Sequence, residues 1–297
     1  MRFLITIVLV LAAVLPARGE DRPRIVTTLP PVESLLRSIA GEAADVYRLL
    51  PGGASPHTYE PRPSDLRRVE GAVALVYVDE RLDGWAADLP GPPKIALFPM
   101  LPESLVIAID GGEEDGPGSH GPGAHDHGAG PDPHFWTDPA AVRAVVPFLV
   151  LALGEIDPER RPAYEANGAL LEARLDSLDR AIRARTTGIR GRLVILSHPF
   201  LRYYLRRYDI GVAAVVEPIP GKEPSARDIA RLIREADKAN VFAILTLPQL
   251  SPRAAELVAE STGIPVRVVD PLGGVPGRET YEEILDGITA ALTKGTP

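Results

Sequence analysis

The chain contains six histidines and no cysteine. Four of those histidines fall in one stretch, "SHGPGAHDHGAGPDPHFWTDP", as His120, His125, His127 and His134. The other two are His57, in "GGASPHTYEPRP", and His198, in "VILSHPF". With no thiolate available, a metal site here must be built from His, Asp and Glu. A fixed ligand needs a fixed backbone and a supporting shell. His134 meets that need: Pro131 and Pro133 restrain the chain leading into it, and Phe135 and Trp136 can exclude water. His120, His125 and His127 do not. They lie in residues 111–133, where eight of 23 residues are Gly and four are Pro. Such a composition builds no packed element and reads as a mobile loop. Two uses remain open for these three: a solvated polar tract, or transient capture of metal ions.

The remaining candidates are placed by the elements around them. Short β-branched runs alternate with amphipathic stretches, which predicts βαβ units and mainly parallel sheets. Strands are expected at 24–29, 45–50, 73–78, 94–98 and 105–110, and again at 192–197, 212–217, 241–246 and 265–270. His57 follows the second of these and His198 directly follows "RLVILS". Asp270 ends "PVRVVD". In an open parallel sheet ligands bind outside the carboxyl ends of strands, so all three positions suit a binding edge. A plain turn also explains Asp270-Pro271 and His198-Pro199. Between the two sets of strands lies "DPERRPAYEANGALLEARLDSLDRAIRART" (157–186), with Asp157 as its cap and Pro158 in its first turn. Apolar residues recur there at helical spacing. An unbroken helix of about 28 residues would be roughly 42 Å long, a rigid rod joining two lobes, weakest at Pro162 and Gly168.

Residues 3–15, "FLITIVLVLAAVL", follow Arg2 and precede the small residues Ala17 and Gly19. This predicts a signal peptide cut after Gly19, and no other segment reads as long and apolar enough to span a membrane. Losing Arg2 and Arg18 takes the formal charge from −8 to −10, which argues against nucleic acid or an anionic membrane as partner. The chain lacks a cysteine near the cut that could carry a lipid, so the expectation is a free periplasmic protein, not membrane-anchored and monomeric. The organisation expected is leader 1–19, N-terminal lobe 20–156, linking helix 157–187 and C-terminal lobe 188–297.

The stretches "IVTTLPPVESLLRSIAG", "LLPGGASPHTYEPRPSDL", "DPHFWTDP", "LSHPFLRYYLRRYDI", "EPIPGKEPSARDIARLI" and "VVDPLGG" together resemble the zinc- and manganese-binding solute-binding proteins of ABC transporters, the ZnuA and TroA type. The resemblance runs in family order over nearly the whole chain after the leader. It implies two α/β lobes with mainly parallel sheets, a long rigid helix between them, and one metal ion in the interlobe cleft. It implies His57, His134, His198 and Asp270 as ligands, and the family also has a His-rich loop, here carrying His120, His125 and His127, for which transient capture of metal is one of the two uses left open above. Glu60, three residues after His57, is read from its position as a supporting group beside that ligand. Three imidazoles and one carboxylate favour four-coordinate Zn²⁺ over Mn²⁺, which prefers more oxygen donors. A glutamate at position 198 would have tilted the site toward manganese. The implied partners are a membrane permease and a periplasmic metallochaperone. A zinc hydrolase is the competing class, but no H-E-x-x-H is present and Glu60 is the only nearby candidate for a base. The family often has a glutamate after the strand matching "VFAILT"; here the sequence reads Thr246-Leu247-Pro248.

Overall fold

A computed structural model describes residues 22–109, 130–216, 224–238 and 240–295. The expected leader, its cut and the three loop histidines lie outside the described residues.

The first lobe runs β1 (Arg24–Thr27), α1 (Pro30–Ala40), β2 (Asp45–Arg48), α2 (Pro63–Val69), β3 (Ala74–Tyr77), α3 (Glu80–Asp83), β4 (Lys94–Ala96), β5 (Ala108–Ile109) and β6 (Gly130–Pro131). Strands β2-β1-β3-β4 form a parallel four-stranded sheet. Its central strands β1 and β3 are buried almost throughout, as strands covered on both faces are, while the edge strands β2 and β4 are only partly buried. The expected strand over 105–110 is reduced to β5, which pairs antiparallel with β6. The glycine-rich segment is therefore shorter than composition suggested: residues 130–133 are packed, and Asp132 is wholly buried.

Two helices link the lobes. α4 (Pro139–Ile156) opens on Asp138, whose carboxylate accepts from the Ala140 amide at 2.8 Å. It is long and apolar enough to cross a membrane by length and composition, against the expectation that only the leader was. Half of it is buried in the core, so its apolarity is that of a core helix. α5 (Arg161–Arg185) is the expected rod, about 38 Å at 1.5 Å per residue. It starts at Arg161, three residues after Pro158, where the helix was expected to begin. Asp157 ends α4 instead of capping α5, and accepts from Tyr164 Oη at 2.9 Å. Neither expected weak point is weak. Pro162 sits in the first turn, where no amide hydrogen bond is lost. Gly168 is buried, and a Cβ there would fall 2.6 Å from Val150 Cγ2. That glycine lets α4 and α5 approach closely.

The second lobe runs β7 (Leu193–Leu196), α6 (Arg202–Arg207), β8 (Gly211–Val215), α7 (Ala226–Lys238), β9 (Val241–Thr246), α8 (Arg253–Thr262), β10 (Val266–Val268) and α9 (Tyr281–Thr293). Its sheet, β10-β9-β7-β8, is again parallel. A capping box between Ser225 and Asp228 opens α7: the Asp228 amide donates to Ser225 Oγ at 3.3 Å and the Ser225 amide to Asp228 Oδ2 at 3.0 Å.

The lobes are tied by partly buried polar contacts. Arg207 of α6 grips Asp179 of α5 with two hydrogen bonds, at 2.9 and 2.7 Å, and lies 3.8 Å from the Asp138 carboxylate. Burial pushes Asp179 upward, but Arg207 and the Tyr208 hydroxyl hold it net below the usual carboxylate range. One core of buried side chains continues from the first lobe through α4 and α5 into the second.

Candidate metal centre

Three of the four candidate ligands converge. His57 lies in a 3-10 turn after β2, His134 just beyond β6, and His198 two residues past the end of β7. Their ring centroids stand 5.6, 5.5 and 5.5 Å apart, nearly an equilateral triangle. One ring nitrogen from each lies within 4.8 Å of the others. Two of these rings come from the first lobe and one from the second. His134 and His198 are buried, and His57 is half-buried.

The sequence reasoning did not find what fixes His134. Asp132 Oδ1 lies 2.7 Å from His134 Nδ1 and accepts from the His134 amide at 2.9 Å. That places the proton on Nδ1 and leaves the Nε2 lone pair for the cluster. A carboxylate behind a ligating imidazole sets its tautomer, orientation and basicity. The signal was present as the D-x-H spacing in "DPHFW". Tyr203 of the second lobe donates to the Asp132 carbonyl at 2.9 Å. Trp136 Nε1 donates to the Pro271 carbonyl at 3.0 Å, and Tyr281 Oη donates to the Trp136 carbonyl at 2.7 Å. Burial pushes the Tyr203 phenol up to about 12 and the Tyr281 phenol well above its ordinary value, so both stay protonated donors. The His57 turn has its own brace: Trp85 Nε1 donates to the Pro56 carbonyl at 3.1 Å.

Asp270 is buried just past β10 but is not in the converging group. Its Oδ1 accepts from the Leu272 and Gly273 amides, both at 3.1 Å, and its Oδ2 lies 3.5 Å from Arg278 Nη1. Glu60 is exposed, whereas Asp132, which supports the His134 imidazole, is buried. A cavity of ≈ 40 Å³ fronts the three rings, lined also by Ser55, Trp136, Phe200, Leu247, Gln249 and Leu272. Gln249 was missed as well, since a lone Gln after a strand carries no metal signature.

A family profile described as "zinc-uptake complex component A periplasmic" matches residues 25–295. The chain is 29% identical over 307 residues to the high-affinity zinc uptake system protein ZnuA of Paracoccus denitrificans, covering 94% of this chain and 93% of that one. It is 27% identical over 270 residues to the zinc-binding protein AdcA of Streptococcus pyogenes serotype M3, covering 88% of this chain but 52% of the relative. It thus spans about half the length of that relative. Among solved structures, a deletion mutant of ZnuA with zinc bound superposes with a TM-score of 0.72 at 27% identity, covering 93% of this chain and 98% of that one.

Proposed function

The chain belongs to the family of the periplasmic component A of zinc-uptake complexes, and from that premise we propose that it captures Zn²⁺ outside the cytoplasm and delivers it to the permease of an ABC transporter. It is a carrier and not an enzyme. The observation that carries this reading is the convergence of His57, His134 and His198 from two lobes onto one point. Three neutral imidazoles are a zinc donor set; manganese would call for more oxygen. Asp270 contributes the negative charge that offsets the ion. The acidic chain, at −8, favours cation encounter over nucleic acid. Cleavage after Gly19, a free monomeric state and loading by a periplasmic metallochaperone complete the proposal. His120, His125 and His127 gather ions without entering the tight site.

Equilibrating metal-free protein with mixed divalent ions, then measuring bound metal by elemental analysis, tests the reading. One zinc per chain is expected. Stoichiometric manganese with zinc left in solution would overturn it. Imidazoles bind only when neutral, so zinc affinity should fall below about pH 6. A titration that is flat between pH 5 and 8 would sink the three-histidine assignment.

A further inference from the structure

Gln249 lies in the loop after β9 and lines the cavity shared by the three imidazoles. Both atoms of its carboxamide, Oε1 and Nε2, are buried and lack a hydrogen-bond partner. A polar atom buried without a hydrogen bond is destabilising, because it has given up water and received nothing in return. Most of the lining around it, Trp136, Phe200, Leu247, Leu250 and Leu272, offers little that could satisfy an amide. An orphan of this kind inside a native fold calls for a missing partner.

The coordination chemistry supplies one. Three imidazoles leave a tetrahedral zinc one ligand short. Asp270 stands outside the converging group, its carboxylate held by two backbone amides and facing Arg278. The cavity, at ≈ 40 Å³, exceeds the roughly 10–15 Å³ needed for one water. An amide oxygen is a poor direct ligand for zinc but a good acceptor for a water polarised by it.

Resting on the zinc reading above, we propose that the fourth position on the ion is a solvent molecule and that Gln249 is its positioning residue, Oε1 accepting a hydrogen bond from the metal-bound water. This position is exchangeable, which a carrier that must give up its ion can use. It is also catalytically blunt. A carboxamide cannot take a proton from the bound water as a glutamate could, so the open position generates no hydrolase.

The test uses Gln249→Leu in the full chain, with zinc and cobalt(II) as probes and azide as a competing small anion. The metal-free variant should be at least as thermally stable as wild type, because two orphaned polar atoms are gone. Its zinc affinity should nevertheless fall roughly 10–100-fold, the usual effect of losing an outer hydrogen-bonding partner. In the wild-type cobalt protein, azide should shift the visible spectrum by replacing the water, and Gln249→Leu should change that spectrum before azide is added. Unchanged zinc affinity and cobalt spectrum in Gln249→Leu would overturn the proposal. So would a wild-type cobalt spectrum that ignores azide but responds once Asp270→Ala is introduced, since the fourth ligand would then be the carboxylate. Failure of the wild-type protein to bind zinc at all would instead remove the functional reading beneath it.

Discussion

The carboxyl edges of the two parallel sheets are built to opposite rules. At the first, beyond β1 and β3, Asp83 is wholly buried and fully engaged. It accepts from Thr28 Oγ1 at 2.5 Å, from the Val78 amide at 3.0 and 3.1 Å, and from the Asp79 amide at 2.9 Å. At the second, beyond β7 and β9, Ser197 Oγ, Thr246 Oγ1 and both polar atoms of Gln249 are buried with no hydrogen bond. At the first edge the buried Asp83 carboxylate is committed to hydrogen bonds that brace the backbone. The second leaves these groups buried without hydrogen bonds, and of them Gln249 lines the cavity in front of the three imidazoles. On the carrier reading proposed above, the braced first edge holds its backbone fixed and the unsatisfied Gln249 carboxamide is left for the cargo's solvent to bind.

The comparison breaks most completely at His134, the ring with the most elaborate support. His134→Ala removes one of the three proposed ligands and leaves the buried Asp132 carboxylate with no imidazole to answer it. Zinc affinity should drop by more than the roughly 100-fold typical of losing a mere supporting group. Competition titration with a chromophoric chelator measures this, and a drop within tenfold would mean that the triangle of rings is not the site.

Asp83 allows the cost of the first lobe's rigidity to be read directly. Burial raises its pKa to about 6, partly opposed by the hydrogen bonds from Thr28, Asp79 and Val78. An unfolded aspartate titrates near 3.9. Between about pH 4 and pH 6 the native state therefore holds a proton that the unfolded chain has lost, and stability falls as pH rises through that window. Above pH 6 both states are ionised and the penalty, on the order of 3 kcal/mol, is complete. Asp83→Asn carries no such charge. In thermal unfolding of metal-free protein, the stability of wild type relative to Asp83→Asn should decline from pH 4 to pH 6 and then level off. A difference that stays constant across that window would show that the carboxylate is not held as described.

A smaller effect separates support from ligation. Asp132→Asn keeps the shape behind His134 but removes the charge that favours its tautomer. Zinc binding should weaken roughly 10–100-fold with the three nitrogen ligands retained by X-ray absorption. Loss of one nitrogen from the metal shell would mean that Asp132 holds the ring in place and does more than tune it.

How far the sequence reached follows the same divide. The strands and the linking helix were legible because β-branched runs and apolar period act locally. His134 was legible because prolines and aromatics around it announce a rigid backbone. Asp157 was misplaced because a cap and a helix end use the same residue types. Gly168 was misread because its meaning comes from Val150 on another helix. Asp132 and Gln249 depend on what they face in three dimensions, and no periodicity encodes that. Asp270 was legible as a strand-end carboxylate, while its two backbone amides and Arg278 were not.

The smallest effect expected is also the one that most sharpens the contrast between the two edges. Ser197→Ala and Thr246→Val each delete a buried hydroxyl that has no hydrogen bond, and valine keeps the shape of threonine. Removing such a group together with its desolvation penalty is close to neutral or mildly stabilising. Metal-free protein carrying both changes should therefore unfold within about 1 kcal/mol of wild type or above it, and zinc affinity should move less than the 10–100-fold expected for Gln249→Leu. Their neighbour Gln249 faces the cavity; Ser197 and Thr246 do not line it. Calorimetry and a zinc titration on the double variant decide the matter. Destabilisation of 2 kcal/mol or more would mean that ordered water already satisfies these hydroxyls. The second edge would then be as fully bonded as the first, and the asymmetry between the lobes would shrink to Gln249 alone.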